Sequence, residues 1–184
     1  MDPRQKLLDA AIDHLARHGV GDLSLRGLAT ALGTSHRMLL YHFGSKENLL
    51  IEVARAVEQR QRDALATLDL DPDLSPADVA RRFWRRLTDP ALREPERLFF
   101  ELYGQALRGA PGATGLLDGV IDDWLRPVAE LCRRFGIPED EVAEHARLGL
   151  AVARGLLLDL VTTGDADAVN AAMERFIAAY ESPQ

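Results

Sequence analysis

Apolar residues along this chain recur at intervals of three and four, and no stretch alternates apolar with polar residues in the manner of a strand. The pattern predicts an all-α protein. Leu7, Leu8, Ala11, Ile12 and Leu15 form the inner stripe of a first helix, opened by Asp2 and Pro3 and closed by His18 and Gly19. Ser24 caps a short second helix that packs through Leu25, Leu28, Ala29 and Leu32 and stops at Gly33. After a short turn, Ser35 caps a third helix from His36 to Phe43, and Ser45 starts a longer fourth from Lys46 to Leu68. Further helices are expected over 76–88, 95–108, 115–135, 139–163 and 166–181, with breaks at Pro90 to Pro95, GAPGATG, 136–138 and Gly164. The stretch DLDPDLSP at 69–76 reads as a linker ending in a cap formed by Ser75, Pro76 and Asp78.

Composition narrows the class. With 184 residues the chain can bury a sizeable core, as one large domain or as a small domain joined to a larger one. The start MDPRQKLLDA is charged and has no apolar run, so a cytoplasmic protein is expected. The most apolar stretch, 148–161, is shorter than the roughly 20 residues of a membrane span and contains Arg154 and Asp159. The single cysteine, Cys132, excludes an internal disulfide and a multi-cysteine zinc site, and its place is a buried helical position.

The net charge of −7 argues at first against a nucleic-acid partner. Its distribution removes the objection. Residues 1–50 hold six Lys/Arg against five Asp/Glu, together with four of the five histidines, whereas residues 51–184 are net −8. A phosphate backbone feels local potential, so the first fifty residues can face DNA.

Within them, GTSHRMLLYHFGSK at 33–46 gathers His36, Arg37, Tyr41, His42 and Lys46 with Thr34, Ser35 and Ser45. The second and third helices, joined at Gly33, have helix-turn-helix proportions, in which the second helix lies in the major groove. On a helix beginning at His36, Leu39 and Phe43 face inward, which leaves His36, Arg37, Leu40 and Tyr41 able to point outward. Arg37 is the natural base reader, since its fork can take guanine O6 and N7 together. Ser24, Thr34, Ser35, Tyr41 and His42 offer donors to phosphate oxygens, and Arg26 on the second helix is counted with them as DNA-facing. Lys46 opposes the dipole of the fourth helix unless a phosphate sits at that helix end.

The stretch AAIDHLARHGVGDLSLRGLATALGTSHRMLLYHFGSKENLL, residues 10–50, resembles the N-terminal domain of TetR-type (tetracycline-repressor-like) transcriptional regulators. The correspondence lies in a first helix closed by HG, then LSLRGLATALG, then a helix ending in YHF, then SKENLL, and it extends over about residues 4–62. The resemblance implies a DNA-binding domain at 1–62 and a helical ligand-binding and dimerisation domain at 63–184. It implies a homodimer on near-palindromic operator DNA, with an unidentified small-molecule effector, dimerisation through the last two helices, and no cofactor. By the same resemblance His36 and Arg37 fall on base-contacting positions, and Thr34, Ser35, Tyr41, His42 and Lys46 on positions that hold phosphates or orient the helix. Leu40 departs from the pattern, which usually has tyrosine there. It removes a phosphate hydroxyl and can touch a thymine methyl. A ligand that tilts the fourth helix would change the spacing of two recognition helices, which must match about 34 to 36 Å or a multiple.

Other constellations carry less. HLARH at 14–18 pairs two imidazoles but lacks the Glu that a metalloprotease motif places after the first His, and His36 with His42 has no third ligand at matching spacing. Asp69, Asp71 and Asp73 suggest a calcium loop, but its sixth position is Leu74 and its twelfth Ala80. The glycines at 109, 112 and 115 lack the Gly-Lys-Ser/Thr ending of a phosphate loop. No metal site and no catalytic motif is therefore assigned, and the chain is not expected to be an enzyme. Phe83, Trp84, Phe99, Phe100, Tyr103 and Trp124 are candidates for the ligand pocket, with ordinary core packing as the competing reading. Leu40 and the acidic total keep open a different class, a helical protein-interaction module on the same fold that does not bind DNA.

Overall fold

The structure, a computed structural model, describes residues 2–19, 23–69, 73–110 and 114–181. Among the described residues there is no strand. The helices are α1 (Pro3–His18), α2 (Leu25–Ala31), α3 (His36–Phe43), α4 (Lys46–Asp69), α5 (Pro76–Leu87), α6 (Arg93–Leu107), α7 (Asp122–Arg134), α8 (Val142–Thr163) and α9 (Ala166–Glu181), with 3-10 turns at Pro90–Leu92 and Thr114–Leu117. Caps begin them where the sequence places oxygen-bearing side chains. Asp2 accepts from the Arg4 N–H, Ser24 from Gly27, Ser35 from Met38, Ser45 from Asn48 and Ser75 from Asp78. Each satisfies one of the amides that a helix start leaves without a partner.

Several expected bounds shift, among them that of α8, which begins at Val142 and not at 139. The helix expected over 115–135 is a 3-10 turn followed by α7, because Gly119 adopts φ 73 and breaks the run. Helix α6 begins two residues before the expected Pro95, which sits inside its first turn, where a missing N–H costs no helical bond. Of the expected linker at 69–76, residues 70–72 lie outside the described residues, as do Asp71 of the calcium-loop pattern and Gly112 of the glycine run.

The chain divides into two compact units, one of Met1–Gln59 with Ala91–Asp118 and one of Arg60–Pro90 with Gly119–Gln184. This differs from a single cut at residue 62. The reason is burial: Leu98, Leu102 and Ala106 of α6 enter the same apolar core as Leu8, Ala11, Ile12 and Leu15 of α1. That core also takes Leu28 and Ala29 of α2, Leu39 and Phe43 of α3, and Leu49, Leu50, Val53 and Val57 of α4. Arg55 on α4 donates to the Gly115 carbonyl of the same unit.

In the second unit Leu65, Leu74, Val79, Trp124 and Leu150 form one apolar cluster, and Cys132, Val142 and Ala146 another. Polar contacts tie α5 to α9. Trp84 Nε1 donates to Asn170 Oδ1 at 2.8 Å, and Arg81 reaches Glu174 at 2.6 Å and also pairs with Glu181. The hydrogen bond from Arg81 holds the Glu174 carboxyl below the usual carboxylate range. Helix α8 buries Leu150, Leu157 and Leu160, yet Leu148 and Leu158 are about half exposed (50% and 49%) in the single chain.

Between α2 and α3, Gly33 carries φ 65. Its N–H bonds to the Thr30 carbonyl at 3.2 Å, and the Thr34 N–H to the Ala29 carbonyl at 2.9 Å. This is the paired closure of a Schellman ending, which needs a left-handed residue at the position of Gly33. A Cβ there would meet nothing within 4 Å, so substitution is opposed by backbone conformation alone. Gly33→Ala is expected to lower stability by about 1 kcal/mol, read as a lower midpoint in denaturant unfolding with an unchanged slope.

Candidate nucleic-acid interface

Helix α3 is anchored on one side and open on the other. Leu39 and Phe43 are buried (0% and 4% exposed), whereas Tyr41 is 79%, Met38 40% and Leu40 39% exposed, with Arg37 exposed as well. The outward positions expected for Arg37, Leu40 and Tyr41 are therefore the observed ones, and His36, at the first position of the helix, is half-buried. Met38 joins this face and was not singled out by the sequence reading. Arg37 before it drew attention through charge and Leu39 after it through its inward spacing, whereas Met38 gave neither signal.

The two cap serines serve two purposes. Ser24 Oγ accepts from the Gly27 N–H at 3.0 Å, and Ser35 Oγ accepts from the Met38 N–H at 3.1 Å. Each hydroxyl keeps its own proton to donate elsewhere, because a hydroxyl both accepts and donates. Arg26 is exposed on α2, and its carbonyl accepts from Thr30 Oγ1 at 3.1 Å. Thr34 is half-buried in the turn. Lys46 is the first residue of α4, beside the Ser45 cap. Ser24, Arg26, Thr34, Ser35, His36, Arg37, Leu40, Tyr41 and Lys46 thus lie on α2, α3, the turn between them and the start of α4.

His42 differs from its expected role. Its Nε2 is buried and has no hydrogen-bond partner among the described residues, and its ring packs edge-on to Tyr41 with centroids 5.1 Å apart. That nitrogen does not face solvent. The backbone of His42 is engaged as well, since its carbonyl accepts from Arg4 Nε at 3.3 Å. Arg4 was absent from the expected site because a lone arginine near the start of an amphipathic helix gives no spacing signal.

The candidate pocket residues fall into two groups in different units. Phe99 lies 5.4 Å from Phe100 and 5.6 Å from Tyr103, centroid to centroid, in the first unit. Phe83 and Trp124 pack 5.9 Å apart in the second, where Trp84 spends its indole N–H on Asn170. The guanidinium of Arg62 lies 5.8 Å from the centre of the Trp124 ring. Arg86, close to Phe83 and Trp84 in the sequence, donates to Oε1 of the buried Gln61 at 3.0 Å.

Two short capped helices, a left-handed glycine between them and an exposed outer face on the second define a helix-turn-helix, the DNA-binding class. Residues 7–53 match the family of bacterial regulatory proteins named tetR. The N-terminal part of the chain is thus similar to the DNA-binding domain of that family, and the chain is a DNA-binding transcriptional regulator. It is 28% identical over 160 residues to the HTH-type transcriptional repressor NicS of Pseudomonas putida, an alignment that covers 80% of this chain and 72% of NicS. A TetR transcriptional regulator from Legionella pneumophila shares the fold with a TM-score of 0.72 at 16% identity, covering 97% of each chain. A transcriptional regulator from Saccharomonospora viridis, solved in complex with choline, superposes with a TM-score of 0.71 at 23% identity over 95% of each chain.

Among the described residues no three His, Cys, Asp or Glu side chains come together as a metal site. The His14 and His18 rings stack at 4.3 Å, and His18 Nδ1 is hydrogen-bonded to the His14 carbonyl at 2.9 Å. Burial first, then the neighbouring His18 and Arg17, hold the His14 imidazole below the usual histidine value. A depressed histidine favours the neutral form in the folded chain, so the unfolded chain takes up protons first. Its stability contribution is full above about pH 6.5, the unfolded value, and is lost as pH falls through the lower folded value. Melting temperature is expected to drop between about pH 7.5 and 5, and His14→Gln is expected to make that drop shallower.

Proposed function

We propose that this regulator is a homodimeric repressor that binds a near-palindromic operator and responds to a small molecule. The observation that carries the DNA part is the division of α3 between a buried side, Leu39 and Phe43, and an exposed side bearing Arg37, Leu40 and Tyr41. In this reading Arg37 and His36 meet base edges, and Leu40 contacts a thymine methyl. Ser24, Arg26, Thr34, Ser35 and Tyr41 hold the backbone from the flanks. Lys46 with the start of α4 takes a phosphate, which turns an unfavourable cation at a helix N-terminus into part of an anion site. DNA binding is assigned to residues 1–62, and effector response and dimerisation to residues 63–184.

Dimerisation through α8 and α9 is supported by apolar surface that the single chain leaves uncovered. Leu148 and Leu158 are exposed, and Gly155 between them has open space where a Cβ would stand, which suits close approach of a second helix. The effector reading is supported by the neighbouring structure solved with choline, a helical fold of this kind holding a small molecule. Among the aromatic candidates, Trp84 is the least available, because Asn170 already takes its indole proton. The protein acts as a regulator in the cytoplasm and not as an enzyme, and no helix among the described residues is long and apolar enough to cross a membrane.

Selection from random DNA duplexes tests the reading, followed by anisotropy titrations on the enriched operator. Arg37→Ala is expected to lose about 1 to 3 kcal/mol of operator affinity and to relax one base position. Lys46→Ala is expected to weaken operator and random DNA alike and to flatten the salt dependence by about one unit of slope. An equal loss on both DNAs for Arg37→Ala would remove it as a base reader. Enrichment of no sequence at low salt would favour the protein-interaction module instead.

A further inference from the structure

The first turn of α1 carries an arginine engaged on three sides. Arg4 Nε donates to the carbonyl of His42, its terminal nitrogen pairs with Glu52 on α4, and its guanidinium carbon lies 5.2 Å from the centre of the Phe43 ring. His42 and Phe43 are the last two residues of α3. A helix end leaves its final carbonyls without intrahelical donors. At this end the Gly44 N–H serves the Leu40 carbonyl at 2.8 Å, and Arg4 serves that of His42. A cation at this terminus also meets the negative end of the helix dipole.

We propose that Arg4 is a positioning residue for DNA recognition, locking the C-terminal end of α3 to α1 and α4 and so fixing the direction in which the recognition face points. The proposal rests on α3 being the helix that reads DNA. None of the three contacts involves a side chain of the outward set, Arg37, Leu40 and Tyr41. Two of them fall on the backbone and the anchoring side of the same helix, and the third, to Glu52, lies on α4. A bidentate base contact tolerates little misplacement, so a helix held at one end by core packing alone would read less selectively.

The contacts are weak as a source of stability and strong as a source of direction. The Arg4 and Glu52 side chains are 40% and 27% exposed, and exposed ion pairs contribute little to folding. Phe43 is buried through the apolar core of its unit as well, so the fold does not depend on the arginine. Lysine cannot replace the group, because a point ammonium has neither the plane that covers the ring nor the fork that serves two acceptors.

The full-length protein is titrated against the selected operator and a scrambled duplex over a range of salt, as wild type, Arg4→Lys, Arg4→Met, Glu52→Gln and the double variant Arg4→Met/Glu52→Gln. Each Arg4 variant is expected to lose about tenfold on the operator, the size of one charge-assisted contact, with the scrambled duplex almost unaffected and the salt slope unchanged. Glu52→Gln is the discriminating arm. Removing a carboxylate should by itself tighten binding to a polyanion, yet a positioning role requires operator binding to weaken. The double variant is expected to lose no more than the worse single one, since both act through one contact. Tighter binding by Glu52→Gln, or wild-type affinity in Arg4→Lys, overturns the proposal. A salt slope lower by about one in the Arg4 variants also overturns it, making Arg4 a phosphate contact. Failure to enrich any sequence removes the DNA reading and this inference with it, whereas normal operator binding by all the variants removes the inference alone.

Discussion

Burial of Leu39 and Phe43 is the constraint on which the rest of the exposed face of α3 depends. An eight-residue helix has too few hydrogen bonds to hold itself in water, and nucleating it is unfavourable. Its persistence comes from two side chains driven into an apolar core that five helices share, α1, α2, α3, α4 and α6. Once those two positions are fixed, the helical repeat leaves no choice about the others. Tyr41 and Arg37 must face away from the core, with Met38 and Leu40 on either side of them.

The ends of α3 complete the arrangement with groups that would otherwise be unsatisfied. Ser35 serves the first amides, Gly44 and Arg4 serve the last carbonyls, and the closure at Gly33 sets where the helix begins. The same chemistry gives the site part of its electrostatics. Hydroxyls already accepting from backbone keep a proton to donate, and α4 opens with a lysine where its dipole favours an anion. In the proposed mode of binding, local folding and recognition draw on one set of atoms, so that an acidic chain offers a face suited to phosphate.

Much of this was legible in the sequence because it is local. Caps at Ser24, Ser35 and Ser75, the glycine ending at Gly33 and the inward pair Leu39 and Phe43 follow from spacing within a few residues, and the structure carries each of them. What escaped is long-range. Periodicity shows which side of α6 is apolar but not which core receives it, so the joining of Leu98 and Leu102 to the N-terminal helices could not be read from a linear boundary. The contact between Arg4 and His42 spans 38 positions, and the inward turn of the His42 ring depends on packing that composition does not encode. Gly119 was visible as a residue, but whether a glycine interrupts a helix or rides inside it is settled by the backbone, here at φ 73.

The placement of Arg37, Leu40 and Tyr41 on the solvent side has an evolutionary consequence. Substitutions at exposed positions away from caps and networks typically shift stability by no more than about 0.5 kcal/mol. Affinity for a given base pair, by contrast, can change by several times that amount through a single side chain in the groove. In the proposed mode of binding, stability and sequence preference are therefore carried by opposite sides of the same eight residues. A lineage can exchange one operator for another by drift on the outer side while the inner side stays under the constraint of the fold.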